Sequence, residues 1–178
     1  MSTPRRFFPA CLLVLIPFLL VASAPRARAL GPKGDVFFGY SRTGSNTFYP
    51  NVGGLNGWED TGHLHMRPFL GVEGDVAHYG LGADSSVPRT TTVLLGPRVT
   101  VGAARIKLFA HGLLGGEHSA SSNGISGGSF AYAIGGGVDV PIAPFFAWRF
   151  AGDHISAPSQ SPGGGTNARF TTGIVFRF

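Results

Sequence analysis

Several small constellations in this 178-residue chain could do chemistry. His154-Ile155-Ser156 places a base and a hydroxyl two residues apart, on one face of an extended segment. A nucleophile–base pair needs a third, acidic group to orient the imidazole. No acidic residue follows Ser156, and Asp153, directly before His154, faces the opposite way. His63-Leu64-His65 puts two imidazoles on one strand face, a spacing that can ligate zinc. No third ligand is evident beside them, so neither a metal nor any other cofactor is expected. Gly135-Gly136-Gly137 and Gly163-Gly164-Gly165 are not phosphate loops, because neither joins a strand to a helix. The charged residues fall largely at alternate positions of otherwise apolar segments, which raises the question of what positions them.

The answer begins at Ala168 to Phe178. Phe170, Thr172, Ile174, Phe176 and Phe178 alternate with Arg169, Thr171, Gly173, Val175 and Arg177. That is the period of a β-strand with one apolar face. Seven more such segments precede it: Asp35 to Ser41, Gly57 to Met66, Phe69 to Tyr79, Thr90 to Val101, Arg105 to Glu117, Ser129 to Val140 and Phe145 to His154. Phe109 and Leu113 fall on the polar face of the fifth and blur it. The connections alternate long and short. The long ones are 42–56, 80–89, 118–128 and 155–167, rich in Gly, Ser, Asn and Pro. No helical periodicity interrupts this pattern. An even number of strands joined in sequence predicts an all-β, eight-stranded, antiparallel up-and-down barrel.

The front of the chain reads differently. Arg5 and Arg6 precede an apolar run from Phe7 to Val21, and Ala27-Arg28-Ala29 follows. That is the pattern of a secretory signal peptide over residues 1–29, leaving 30–178 as the barrel domain. Four of the 14 basic residues, Arg5, Arg6, Arg26 and Arg28, lie in this leader. The remainder carries 10 basic against 9 acidic residues, so the high pI is no sign of nucleic-acid binding. The single cysteine, Cys11, is also in the leader, which excludes disulfides and thiol chemistry from the mature domain. Charged residues make up 13% of the chain, about half the share in soluble domains, and glycine is abundant. A barrel wall fits this composition better than a solvated globule does.

The alternation, the connection lengths and the terminal segment resemble those of small eight-stranded bacterial outer-membrane barrels, the OmpA-like transmembrane class. In particular, Phe170, Ile174, Phe176 and Phe178 resemble the C-terminal assembly signal of such proteins. The resemblance implies export to the outer membrane, insertion by the barrel-assembly machinery, contact with outer-membrane lipid and lipopolysaccharide, and a monomer. The long connections would face outside and the short ones the periplasm. Bulky aromatics near strand ends (Tyr40, Trp58, Tyr132, Trp148 and Phe178) are placed as interfacial girdles would be. Separately, His154-x-Ser156 resembles the pair carried by an outer-membrane lipid A deacylase, without the acid that completes it.

With the bulky faces in lipid, the other faces line a narrow interior that side chains nearly fill. Asp35, Glu59, Glu73, Asp75, Arg98, Lys107, Glu117, Asp139, Arg149, Asp153, Arg169 and Arg177 point there. Buried charges are tolerable when paired. Strand adjacency predicts Glu73 and Asp75 near Arg98, Asp153 near Arg169, and Asp35 meeting Arg177 at the closure. His111 would be a hydrogen-bonded filler. The reading is a non-enzymatic membrane barrel serving structure, surface-loop interaction or small-solute passage. Its alternatives are a lipid-modifying enzyme of the deacylase kind and a soluble, lipocalin-like barrel with its bulky face inward.

Overall fold

The computed structural model describes residues 33–44, 54–81, 89–103, 106–120, 126–157 and 165–178. The leader expected over residues 1–29 lies outside them, as do the central parts of the long connections. The alternating segments form eight strands: β1 Gly34–Thr43, β2 Asn56–His65, β3 Leu70–Tyr79, β4 Arg89–Ala103, β5 Ile106–Ala120, β6 Ser126–Ala143, β7 Phe146–Ala157 and β8 Gly165–Arg177. Each pairs antiparallel with its sequence neighbours, and β1 pairs with β8 to close the barrel. The closing register sets Asp35 opposite Arg177 and Gly39 opposite Gly173.

The period of two decides which side chains go where. In β1, Phe37 and Ser41 are fully buried, whereas Phe38 and Tyr40 between them are 52% and 44% exposed. The outer surface is a continuous apolar coat that includes Val72, Val93, Leu95, Leu114, Ile134, Phe150 and Phe170. This is the inverse of a soluble barrel, whose bulky residues face inward. Aromatic residues collect toward both ends of the coat. Tyr40 and Trp58 are register partners beside the first long connection. Trp148, Phe146, Phe176 and Phe178 lie at the opposite end, where the Trp148 indole donates to Thr172 Oγ1 at 2.8 Å.

Six strands run longer than the alternation suggests, and three of them reach 15 residues or more. β4 and β5 have 15 residues each and β6 has 18. Fifteen residues span about 50 Å, whereas a lipid-facing band about 25 Å tall needs far less even from tilted strands. Residues 118–120 and 126–128, read from sequence as loop, therefore continue the ladder. Ladder hydrogen bonds persist beyond the lipid, where no apolar face is required. Two prolines mark irregularities. The β4–β5 ladder skips Gly96 and Pro97, between the pairs Leu95↔Leu114 and Arg98↔His111; proline has no N–H to give. The β6–β7 register shifts between Pro141 and Ala143, a bulge near the short-turn rim.

Candidate functional site

The interior is the part of the molecule where chemistry-bearing side chains meet. Seven carboxylates are buried there (Asp35, Glu59, Glu73, Asp75, Glu117, Asp139 and Asp153), facing three buried arginines, Arg98, Arg149 and Arg169. Each arginine is long enough to cross the barrel, so each links a carboxylate on a neighbouring strand to others across the lumen.

Arg169 of β8 is the hub of the half nearer the long connections. Its Nη2 lies 2.6 Å from Asp153 of β7 and 2.9 Å from Asp75 of β3, and its Nη1 lies 3.4 Å from Glu59 of β2. Glu59 also accepts from Thr171 at 2.8 Å and from Ser41 at 3.2 Å. Arg149 of β7 holds the other half. It donates to Asp139 through Nε at 2.7 Å, to Asp35 through Nη2 at 3.0 Å, and to Thr61 through Nη1 at 3.1 Å. Arg98 pairs with Glu73 at 2.6 Å and approaches Asp35 and Asp139 at 3.5 and 3.6 Å.

His111 joins the two halves. Its Nδ1 faces Glu73 at 2.5 Å and its Nε2 faces Asp153 at 2.8 Å. Both nitrogens can donate only when the ring carries two protons, so this geometry suits an imidazolium between two carboxylates. The histidine expected as a filler is therefore a bridge.

Two of the expected partnerships are corrected. Asp75 does not meet Arg98; it pairs with Arg169 across the lumen. Asp35 and Arg177 are register partners, but Arg177 directs its guanidinium to Asp139 at 3.5 Å, and Asp35 is taken by Arg149. Lateral adjacency predicted both pairs. Strand adjacency does not limit a long side chain, which also reaches partners on facing strands. Glu73 with Arg98 and Asp153 with Arg169 do meet. Lys107 is half-buried opposite Asp139 in register and closes no ion pair among the described residues.

Aromatic packing completes the plug. Phe109, which blurs the polar face of β5 in the sequence, lies inside with the Arg98 guanidinium 3.9 Å from its ring centre and that of Arg149 at 4.7 Å. Phe37 sits beside Arg149 at 5.1 Å. Cation–π contacts of this kind gain strength when desolvated. Glycines on the same face make the room: a Cβ at Gly137 would lie 2.8 Å from Phe109 Cζ, and one at Gly173 would lie 3.0 Å from Phe37 Cε2. Apolar clusters fill the rest, among them Leu94, Leu113, Ala131, Ala133 and Ile155.

The His154-x-Ser156 pair is divided from its nearest acid. His154 is on the exposed outer face, whereas Asp153 points inward to Arg169 and His111. Ser156 is buried. No carboxylate orients His154 among the described residues. The other imidazole pair fares differently. The strand pairing sets Asp35 beside His63, with Oδ2 3.0 Å from Nδ1, and brings Asp35, His63 and His65 into one group. The sequence offered no third ligand because Asp35 is 28 residues away along the chain and adjacent only across the β1–β2 ladder.

No family model and no curated protein matches the chain. Solved structures do. Ail, the attachment invasion locus protein of Yersinia pestis, superposes with a TM-score of 0.58 at 19% identity, over 84% of this chain and 100% of that one. OprG of Pseudomonas aeruginosa gives 0.58 at 11% identity, over 83% and 96%. Neisserial surface protein A gives 0.57 at 12% identity, over 82% and 96%. At these identities the likeness is one of fold. The chain has the closed eight-stranded antiparallel architecture of the small outer-membrane β-barrels.

Proposed function

We propose that the protein is a non-enzymatic integral barrel of the bacterial outer membrane, whose sealed interior makes it a rigid mount for the surface formed by its long connections. The observation that carries this reading is the set of arginine crossings. Arg149 ties β7 to β1, β2 and β6, and Arg169 ties β8 to β2, β3 and β7. Both side chains are at most 2% exposed. A water-filled passage would leave such groups solvated; here Arg149 is packed against Phe37 and Phe109, and Arg169 is enclosed by Glu59, Asp75 and Asp153. An interior of this kind favours stiffness over transport.

The role then falls to the long connections. Segments 45–53, 121–125 and 158–164 contain no charged residue, and 82–88 contains only Asp84. Phe48 and Tyr49 stand among Ser, Asn and Thr. Such surfaces engage a partner by hydrogen bonds and aromatic contact rather than by charge. Ail is named for attachment, and adhesion through the long connections is the version of the role proposed for this chain.

Planar-bilayer recording tests the sealed interior. Purified barrel should insert without producing conductance steps. Sustained steps from the unaltered protein, present in folded samples and absent from boiled ones, would overturn the reading in favour of small-solute passage. Membrane fractionation supplies the location: recovery in the soluble periplasmic fraction would exclude it.

A further inference from the structure

The geometry points to a binding site for one zinc-type divalent metal ion at the short-turn rim, formed by Nε2 of His63 and Nε2 of His65, with Asp35 holding the first ring. The site lies away from the long connections and goes beyond the role proposed above.

The hydrogen bonds assign the tautomers. His65 Nδ1 lies 3.1 Å from the Lys33 carbonyl oxygen, which can only accept. That nitrogen therefore carries the proton. His63 Nδ1 lies 3.0 Å from Asp35 Oδ2, and the other oxygen of Asp35 already accepts from Arg149. Asp35 is thus an ionised acceptor, and His63 donates to it through Nδ1. Each neutral imidazole is left with a lone pair on Nε2, the form in which histidine binds metals. A carboxylate behind a ligating histidine is the usual device for fixing ring orientation and raising its basicity.

The lone pair of His63 is unspent. The residue is 1% exposed, and Nε2 is buried with no hydrogen-bond partner. Buried polar atoms of this kind are uncommon and costly. The wall next to it comes close for a reason of sequence. Gly71 of β3 is the register partner of His65, and a Cβ there would press directly on His63 Nε2. Glycine is what lets the β3 backbone lie against the ring without displacing that nitrogen.

The two rings share a face of β2 with centroids 4.3 Å apart. One ligand atom from each of Asp35, His63 and His65 falls within 4.8 Å of the others. Tetrahedral zinc with bonds of about 2.0–2.1 Å holds its ligands roughly 3.3 Å apart. His65 is half-exposed at the rim, and binding would turn its ring inward about the hydrogen bond to Lys33, with water completing the coordination. Arg98 and Arg149 engage Oδ1 of Asp35 whereas His63 engages Oδ2, and Glu73 is the register partner of His63.

The test is zinc titration of the full chain, without a polyhistidine tag, purified in detergent and shown folded by its heat-dependent gel mobility. Calorimetry with zinc chloride should give one saturable site, and cobalt(II) should give visible absorption bands that zinc abolishes. His65→Gln, at a half-exposed position, should keep the mobility shift and lose at least tenfold in affinity. Asp35→Asn should lose about 10–100-fold. His118→Gln, near the opposite rim, should bind as the parent does. Absence of saturable zinc binding in the unaltered protein would overturn the proposal. So would a folded His65→Gln that binds as tightly as the parent, or an equal loss in His118→Gln.

Discussion

Replacing Arg169 with methionine isolates what the interior ion network contributes. Methionine keeps most of the length and volume but removes the charge that Glu59, Asp75 and Asp153 share. Removing one partner of a buried pair typically costs about 3–5 kcal/mol, because an uncompensated charge stays behind. Three carboxylates depend on this one guanidinium, and only Asp153 keeps another cationic partner, in His111. An exposed pair would be worth about 0–1 kcal/mol, so the two cases separate clearly. With a urea slope of roughly 2 kcal/mol per molar, a loss of about 4 kcal/mol lowers the unfolding midpoint by roughly 2 M. Trp58 and Trp148 report the transition by fluorescence in micelles, and gel mobility reports it independently. A companion variant adds Glu59→Gln and Asp75→Asn, removing the orphaned charges, and should recover at least half of the loss. Two results would refute the reasoning: Arg169→Met within about 1 kcal/mol of the parent, or a companion no more stable than the single variant.

Phe109→Ala should cost about 3–5 kcal/mol in the same titration, by emptying the space between the Arg98 and Arg149 guanidinium groups. Leu95→Arg, on the outer face at the middle of β4, should cost about 2–4 kcal/mol in a bilayer, whereas Met66→Arg at the rim should cost about 0–1; equal costs would contradict the lipid orientation. Phe178 pairs through its backbone with Gly34, while its side chain is half exposed. Phe178→Ala should therefore refold in detergent as the parent does, yet reach the outer membrane of cells in reduced amount. A reduction in both settings would point to stability rather than to an assembly signal.

What could be read from the chain beforehand divides by range. Alternation along Ser129 to Val140 or Ala168 to Phe178 is a local property, and it set strand number, order and facing correctly. The alternating connection lengths gave the meander for the same reason. The strand ends were missed where lipid no longer imposes a pattern, as at Gly127 and Gly128. The partners of Asp75 and Asp35 were missed because they depend on distances across the barrel. Those distances follow from diameter and stagger, which no single strand records. Phe109 is instructive in another way. On a polar face it broke the pattern, and the break was the trace of two arginines that needed a ring between them. His63-x-His65 showed its spacing openly, while Asp35 and Gly71 joined it only through the ladders on either side.

The pairing of β1 with β8 has a consequence for how the molecule matures. A contact between residues 35 and 177 spans nearly the whole polypeptide, and its loop-closure entropy falls due in one late event. Until then the growing ribbon has two raw edges of unsatisfied amides, which hydrocarbon does not accept. An incomplete ring is thus expelled by the solvent it must enter, and the bilayer itself acts as the inspector of finished work.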